Sequence, residues 1–146
     1  MIVSCRQRGV AAVEFALLLA LLLIPLGYGA TEFGRAFYQY NTLLKATRSA
    51  AREFTLAGRV GTIGSREALA LCLAVYGRTP CDSADTPLVW GLSPPLVTIS
   101  TVDVSGSLPY TYGCVTISGF LFVSLASWVV PDIAFAAIRT CMRQVP

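Results

Sequence analysis

The chain has 146 residues, of which 55% are hydrophobic and only 13% charged, with a formal charge of +3 and no histidine. Charge at about half the usual globular share excludes a disordered, highly solvated chain, and the lack of histidine removes the commonest general base and zinc ligand. The length holds one domain and an appendage rather than two ordinary cores, and without a basic run no nucleic-acid partner is expected.

The apolar excess is concentrated near the N-terminus. Met1 to Gly9, MIVSCRQRG, carries Arg6 and Arg8 and no acid. Val10 to Ala30, VAAVEFALLLALLLIPLGYGA, is apolar except for Glu14. As a helix this segment spans roughly 31 Å, the thickness of a bilayer core. The basic flank comes first, so the N-terminus is expected in the cytoplasm and everything after Ala30 on the far side. Three readings compete. One is a plain signal anchor. Another is a secretory signal cut near Gly27-Tyr28-Gly29, just after Pro25. The third is a short basic leader ending in glycine and cut between Gly9 and Val10, which leaves Glu14 as the fifth mature residue and Phe15 as the sixth.

Glu14 separates these readings. An ionised carboxylate at the centre of a membrane helix costs about 2.5–3.5 kcal/mol, and it suits a secretory signal badly. A cut after Gly9 creates a partner for it, the α-ammonium of Val10. Within one chain the pair is strained, whereas between neighbouring helices with an axial offset it forms readily and penalises wrong registers. The alternative is a Glu14 that snorkels to the headgroups near the cytoplasmic edge.

After Ala30 the pattern becomes one-sided. Phe33, Phe37, Tyr40, Leu44, Thr47, Ala51 and Phe54 recur at steps of three or four, and Glu32, Arg35, Gln39, Lys45, Arg48 and Arg52 fall opposite. This predicts an amphipathic continuation of the same helix, packed on a domain through the first set. Glu32 and Arg35 are spaced to pair on the surface for a few tenths of a kcal/mol. Pro25 predicts a kink, and Gly58 and Gly61 mark the expected end.

The stretch from Arg8 to Gly58 resembles the N-terminal signature of the TadE-like family, the pseudopilins or minor pilins of the tight adherence (Tad) pilus. The resemblance rests on Gly9, on Val13-Glu14-Phe15, on Glu32-Phe33-Gly34-Arg35 where the apolar run ends, and on Ala46 to Arg52. The ending Ile138 to Arg143 looks like the family's closing strand, whereas Gly61 to Gly113 matches nothing specific. The resemblance implies cleavage by a prepilin peptidase after Gly9 and a pilin-like fold. It also implies a structural role in an adhesive pilus, and as partners other pilins, inner-membrane assembly proteins and the lipid bilayer. It divides the chain into a leader (1–9), a transmembrane segment (10–30), its amphipathic continuation (31–58) and a periplasmic or extracellular α+β domain (59–146). The alternative is an uncleaved, anchored periplasmic binding or accessory domain unrelated to pili.

In the last part Ser65 reads as an N-cap and Gly77 as a stop, which predicts a second short helix over Arg66–Tyr76 with Leu69, Cys72, Leu73 and Tyr76 on one face. A proline-rich loop follows. Leu96–Val104 reads as a strand whose apolar phase shifts at Val102, implying a bulge or twist. Cys114–Val123 reads as a second strand after a turn at Gly106–Gly113, and Ile133–Met142 as a third. Short links imply an antiparallel sheet of about three strands in an α+β fold. Phe120–Val130 is too short to span a membrane and is expected to be buried strand end and loop, packing Trp128, with an exposed partner surface as the alternative.

Cys5 lies in the leader. The other four cysteines allow three pairings. Cys72–Cys81, closing a short loop, with Cys114–Cys141, joining two strands, is favoured in an oxidising periplasm. Their spacing suits neither zinc nor a catalytic thiol. Asp82, Asp85, Asp103 and Asp132 read as solvated turn residues. There is no phosphate loop or nucleophile elbow, so neither enzymatic activity nor a cofactor is expected.

Overall fold

The computed structural model describes residues 6–56, 63–82, 84–105 and 110–144. Within these the fold is α+β, with a long N-terminal helix, a second short helix and a small antiparallel sheet. Cys5, the Gly58 and Gly61 stop signals and the turn at residues 106–109 lie outside the described residues.

Helix α1 runs from Arg6 to Leu56, 51 residues and so about 77 Å. Its run of alanines and leucines favours helix throughout. Pro25 is accommodated inside it, at the cost of the donor that the Leu21 carbonyl would otherwise receive. Its polar side chains bond back to the preceding turn: Thr31 Oγ1 donates to the Gly27 and Tyr28 carbonyls, Asn41 to Phe37 and Thr42 to Tyr38.

Helix α2 spans Ile63–Tyr76. It begins earlier than expected, so Ser65 is a helical residue rather than the cap. Gly77 ends it with φ +71°, its N–H donating to the Leu73 carbonyl at 3.1 Å. This is the left-handed closure that glycine adopts without strain. A Cβ there would also sit 2.7 Å from Leu88 Cδ2.

The faces of α2 differ from the expected ones. Ala70, Ala74 and Val75 are fully buried, while Leu69, Cys72, Leu73 and Tyr76 are only half-buried. The reason lies in the partner helix. Ala50 and Ala51 of α1 meet Ala70 and Ala74 of α2 in one core cluster, and small residues let two backbones approach more closely than leucines would. The periodicity of large apolar residues points to the wrong stripe because the contact is made by small ones.

The main sheet has the order β1–β2–β5, all antiparallel, with β1 Val97–Val104, β2 Tyr110–Ile117 and β5 Ile138–Arg143. A turn of 3₁₀ helix at Pro94–Leu96 leads into β1. The register from Val97↔Ile117 to Val104↔Tyr110 is continuous, so the expected bulge is absent from this strand pair. The phase shift has another cause. Val97 and Ile99 pack towards the helices, and the far end of the strand runs past them, so that Val102 is exposed. The expected second and third strands are each split in two. Gly119, at φ +74°, breaks the former, and the fragments β3 Leu121–Phe122 and β4 Ile133–Ala134 pair as a separate two-stranded sheet.

Two clusters form the core. Leu43, Val75, Val89, Leu92, Ile117, Phe120 and Ile138 make one, and the alanines with Phe54 and Val115 make the other. Phe135 ties the small sheet to α1, with its ring 5.6 Å from those of both Tyr40 and Phe120 and 6.4 Å from Phe122. Thr140 of β5 donates to the buried Thr47 hydroxyl at 3.1 Å, which in turn donates to the Leu44 carbonyl. Disulfides join Cys72 to Cys81 and Cys114 to Cys141. The second links directly opposed residues of β2 and β5, with Cα atoms 4.1 Å apart.

Strand β2 approaches α1 most closely at Gly113. A Cβ there would stand 2.5 Å from Phe54 Cδ1 and 2.9 Å from Thr55 Cγ2, and Phe54 is 1% exposed, so its ring has nowhere to go. Gly113→Ala is therefore expected to destabilise the fold by about 1–3 kcal/mol, the usual cost of overpacking. A thermal melt of the purified protein in detergent checks this, and an unchanged midpoint would contradict the packing.

Candidate functional site

The first region of interest is the N-terminal half of α1. Val10, Val13, Phe15, Leu17, Leu18, Leu21, Leu22 and Leu26 are all exposed. An 18-residue window of this helix has a mean hydropathy of 2.4, and none of it is buried by the other described residues. A surface of that kind requires an apolar environment, either lipid or other helices. Gly9 and Val10 lie in the helix, exposed, and a Cβ on Gly9 would meet nothing within 4 Å. Glu14, one turn beyond Val10, is exposed among the leucines. Among the described residues nothing pairs with it. Arg6 and Arg8 fall in the first turn of α1, and their side chains are outside the described part.

The second region is the junction between α1 and the loop after β3, where the structure departs most from the sequence reading. Glu32 is not on a solvated face but 3% exposed. It pairs with Arg35 at 2.7 Å, and its other oxygen accepts from the Ser124 hydroxyl at 3.2 Å and the Leu125 N–H at 3.3 Å. Arg35 also donates to the Val123 carbonyl at 3.3 Å and lies over the Phe122 ring, 5.1 Å from its centroid. Conversely, Phe33 and Phe37 are 62% and 69% exposed and Tyr38 is also exposed. The inward face of this part of the helix is Glu32 and Ala36, and the expected stripe holds only further on, at Thr47, Ala51 and Phe54. Ala36 is small and buried beside the ion pair, and the pair satisfies the loop's polar groups. Bulk on this face would push the loop away. Gly34 faces outwards, and a Cβ on it would meet nothing within 4 Å.

The apolar character of Phe120–Val130 is legible in the sequence, but not which of its residues face α1. Phe120, Phe122, Ser124, Ala126 and Val130 point inwards, while Leu121, Val123, Leu125 and Trp128 point outwards. Trp128 is thus exposed, not packed as expected. The inward set contains a serine, so a search for an unbroken apolar face passes over it. Asp132 accepts from the Ser124 N–H at 2.9 Å and braces the loop from the other side. Two further aspartates organise local structure rather than standing free as solvated turn residues. Asp85 pairs with Arg78 and accepts from the Asp82 N–H, and Asp103 accepts from Thr111.

These features define a class: a chain whose long, uncovered apolar N-terminal helix, consistent with membrane anchoring, runs on into a small disulfide-linked α+β unit. The sequence model described as TadE-like protein matches residues 9–52. That match spans Gly9, Glu14 and the Glu32–Arg35 motif and bears out the TadE-like resemblance over this segment. No curated protein and no solved structure matches the chain.

Proposed function

We propose that the protein is a structural pseudopilin or minor pilin of a Tad (type IVb-like) adhesive pilus. A prepilin peptidase cuts it after Gly9, the segment from Val10 to Ala30 stays in the inner membrane, and the α+β unit stands in the periplasm until assembly. The carrying observation is the TadE-like match beginning at Gly9, on a helix whose most apolar window is left unburied by the described residues. In this reading Glu14 meets the freed α-ammonium of Val10 on a neighbouring pilin, and Arg6 and Arg8 set the orientation before they leave with the leader. Their removal takes the Lys+Arg count from 11 to 9 against 8 acids, so the basic charge belongs mainly to the leader. The exposed Phe33, Phe37 and Tyr38 offer apolar contact area to sister subunits just beyond the membrane.

Mass measurement of the protein recovered from piliated cells tests the cut. The mature chain should begin at Val10 and carry two disulfides. A mature N-terminus at Met1 or at Ala30 would overturn the proposal.

A further inference from the structure

The loop over residues 123–130 is fastened to α1 along a short axial stretch. Arg35 holds the Val123 carbonyl and Glu32 the Leu125 N–H. Val129 Cγ1 lies 3.7 Å from where a Cβ on Gly29 would stand, and the Trp128 ring packs at 6.0 Å from that of Tyr28. The side chains this leaves outside are apolar. Leu125 is 83% exposed and Trp128 69%, with Leu121 and Val123 beside them nearly half exposed. Leaving a large apolar side chain in water is unfavourable compared with burying it.

The level of this patch follows from the helix that carries it, so the inference rests on reading Val10–Ala30 as the membrane span. Tyr28 lies about 3 Å short of the end of that span and Glu32 about 3 Å past it. The headgroup layer adds roughly 5–7 Å on each side of the hydrocarbon. A ring packed on Tyr28, and a leucine whose backbone is bonded to Glu32, therefore lie within that layer. Tryptophan and tyrosine are the side chains enriched there, because each has an apolar body and a polar tip.

We propose that the loop over residues 123–130 is an interfacial membrane anchor. Leu125 and Trp128 insert, beside Tyr28, into the headgroup–acyl boundary of the leaflet through which α1 emerges. The occupant of the patch is lipid, because the patch is continuous with the lipid-facing surface of α1 and level with its end. The α+β unit accordingly rests against the bilayer instead of standing off on a stalk. The enclosed Glu32 carboxylate, paired with the partly exposed Arg35, fixes the loop's height.

The test uses the full chain carrying Trp90→Phe, which leaves Trp128 as its single tryptophan. It is reconstituted in vesicles of phosphatidylethanolamine and phosphatidylglycerol. Trp128 emission should be blue-shifted and resistant to aqueous iodide, and acyl chains brominated near the carbonyls should reduce it by about half or more. Leu125→Asp in the same background should return the emission towards that of water-exposed tryptophan and restore iodide quenching. Water-like emission in the parent, with the protein still floating with vesicles after a carbonate wash, would overturn the anchor alone. Protection from iodide without quenching by brominated lipid would overturn it in favour of a protein cover, such as a second copy. Loss of the protein from the vesicles on carbonate washing would remove the membrane span and the anchor with it.

Discussion

Glu32→Ala is expected to lower the stability of the α+β unit by about 3 kcal/mol, the lower end of the cost of deleting one partner from a buried ion pair. The lower end applies because the Arg35 side chain is 37% exposed and can rehydrate, whereas Glu32 is almost fully enclosed. The loss is shared among three donors. Arg35 loses its partner, and the Ser124 hydroxyl and Leu125 N–H lose their acceptor in a closed site. For a unit of this size each kcal/mol shifts the midpoint by roughly 4–8 °C, so the melt should fall by at least about 12 °C. Glu32→Gln keeps an acceptor oxygen without the charge and should fall between the two. The loop at 123–130 should loosen first, seen as faster amide exchange there than in β2. A Glu32→Ala midpoint within a few degrees of the parent would mean that the pair is solvated and the junction held by Phe122 and Phe135 alone.

That junction also shows where sequence reading succeeds and where it stops. The long helix, the short helix ended by Gly77, and an antiparallel sheet are legible because each rests on local signals: an unbroken apolar run, a left-handed glycine, alternating β-branched residues. Even there the edges move, since Ser65 has the chemistry of a cap but lies inside α2, and Gly119 cuts a strand that periodicity would have continued. The faces are harder. Phe33 and Phe37 outweigh Glu32 and Ala36 on any scale of single-residue hydropathy, yet the smaller pair faces inwards. What decides is a loop ninety residues later in the chain, whose serine hydroxyl and backbone N–H complete the carboxylate's hydrogen bonds. The same holds for Ala50, Ala51, Ala70 and Ala74, where close approach rather than bulk selects the contact. Local pattern reports what an element can bury, and tertiary pairing decides which of its stripes does so.

Glu14→Ala is expected to leave membrane insertion intact while cutting incorporation into the pilus fraction by at least about tenfold, equivalent to about 1.4 kcal/mol. The two halves of this expectation have different physical roots. Insertion depends on the uncovered apolar helix, and replacing a carboxylate by a methyl group there removes a penalty of up to about 2.5–3.5 kcal/mol. Incorporation depends on what the carboxylate meets. In the proposed assembly that is the α-ammonium of a neighbour's Val10, and without Glu14 this charge must snorkel to the headgroups, taking the axial register with it. Glu14→Gln separates charge from polarity: it retains hydrogen bonding, so recovery of normal incorporation in that variant would show that polarity suffices. Glu14→Asp keeps the charge but shortens its reach by one methylene, and should recover part of the incorporation. Carbonate extraction reports insertion, and the ratio of pilus-bound to membrane-bound protein reports incorporation. Normal piliation with Glu14→Ala would remove the charge pair as the device that aligns the helices and leave their apolar surface alone to set the register.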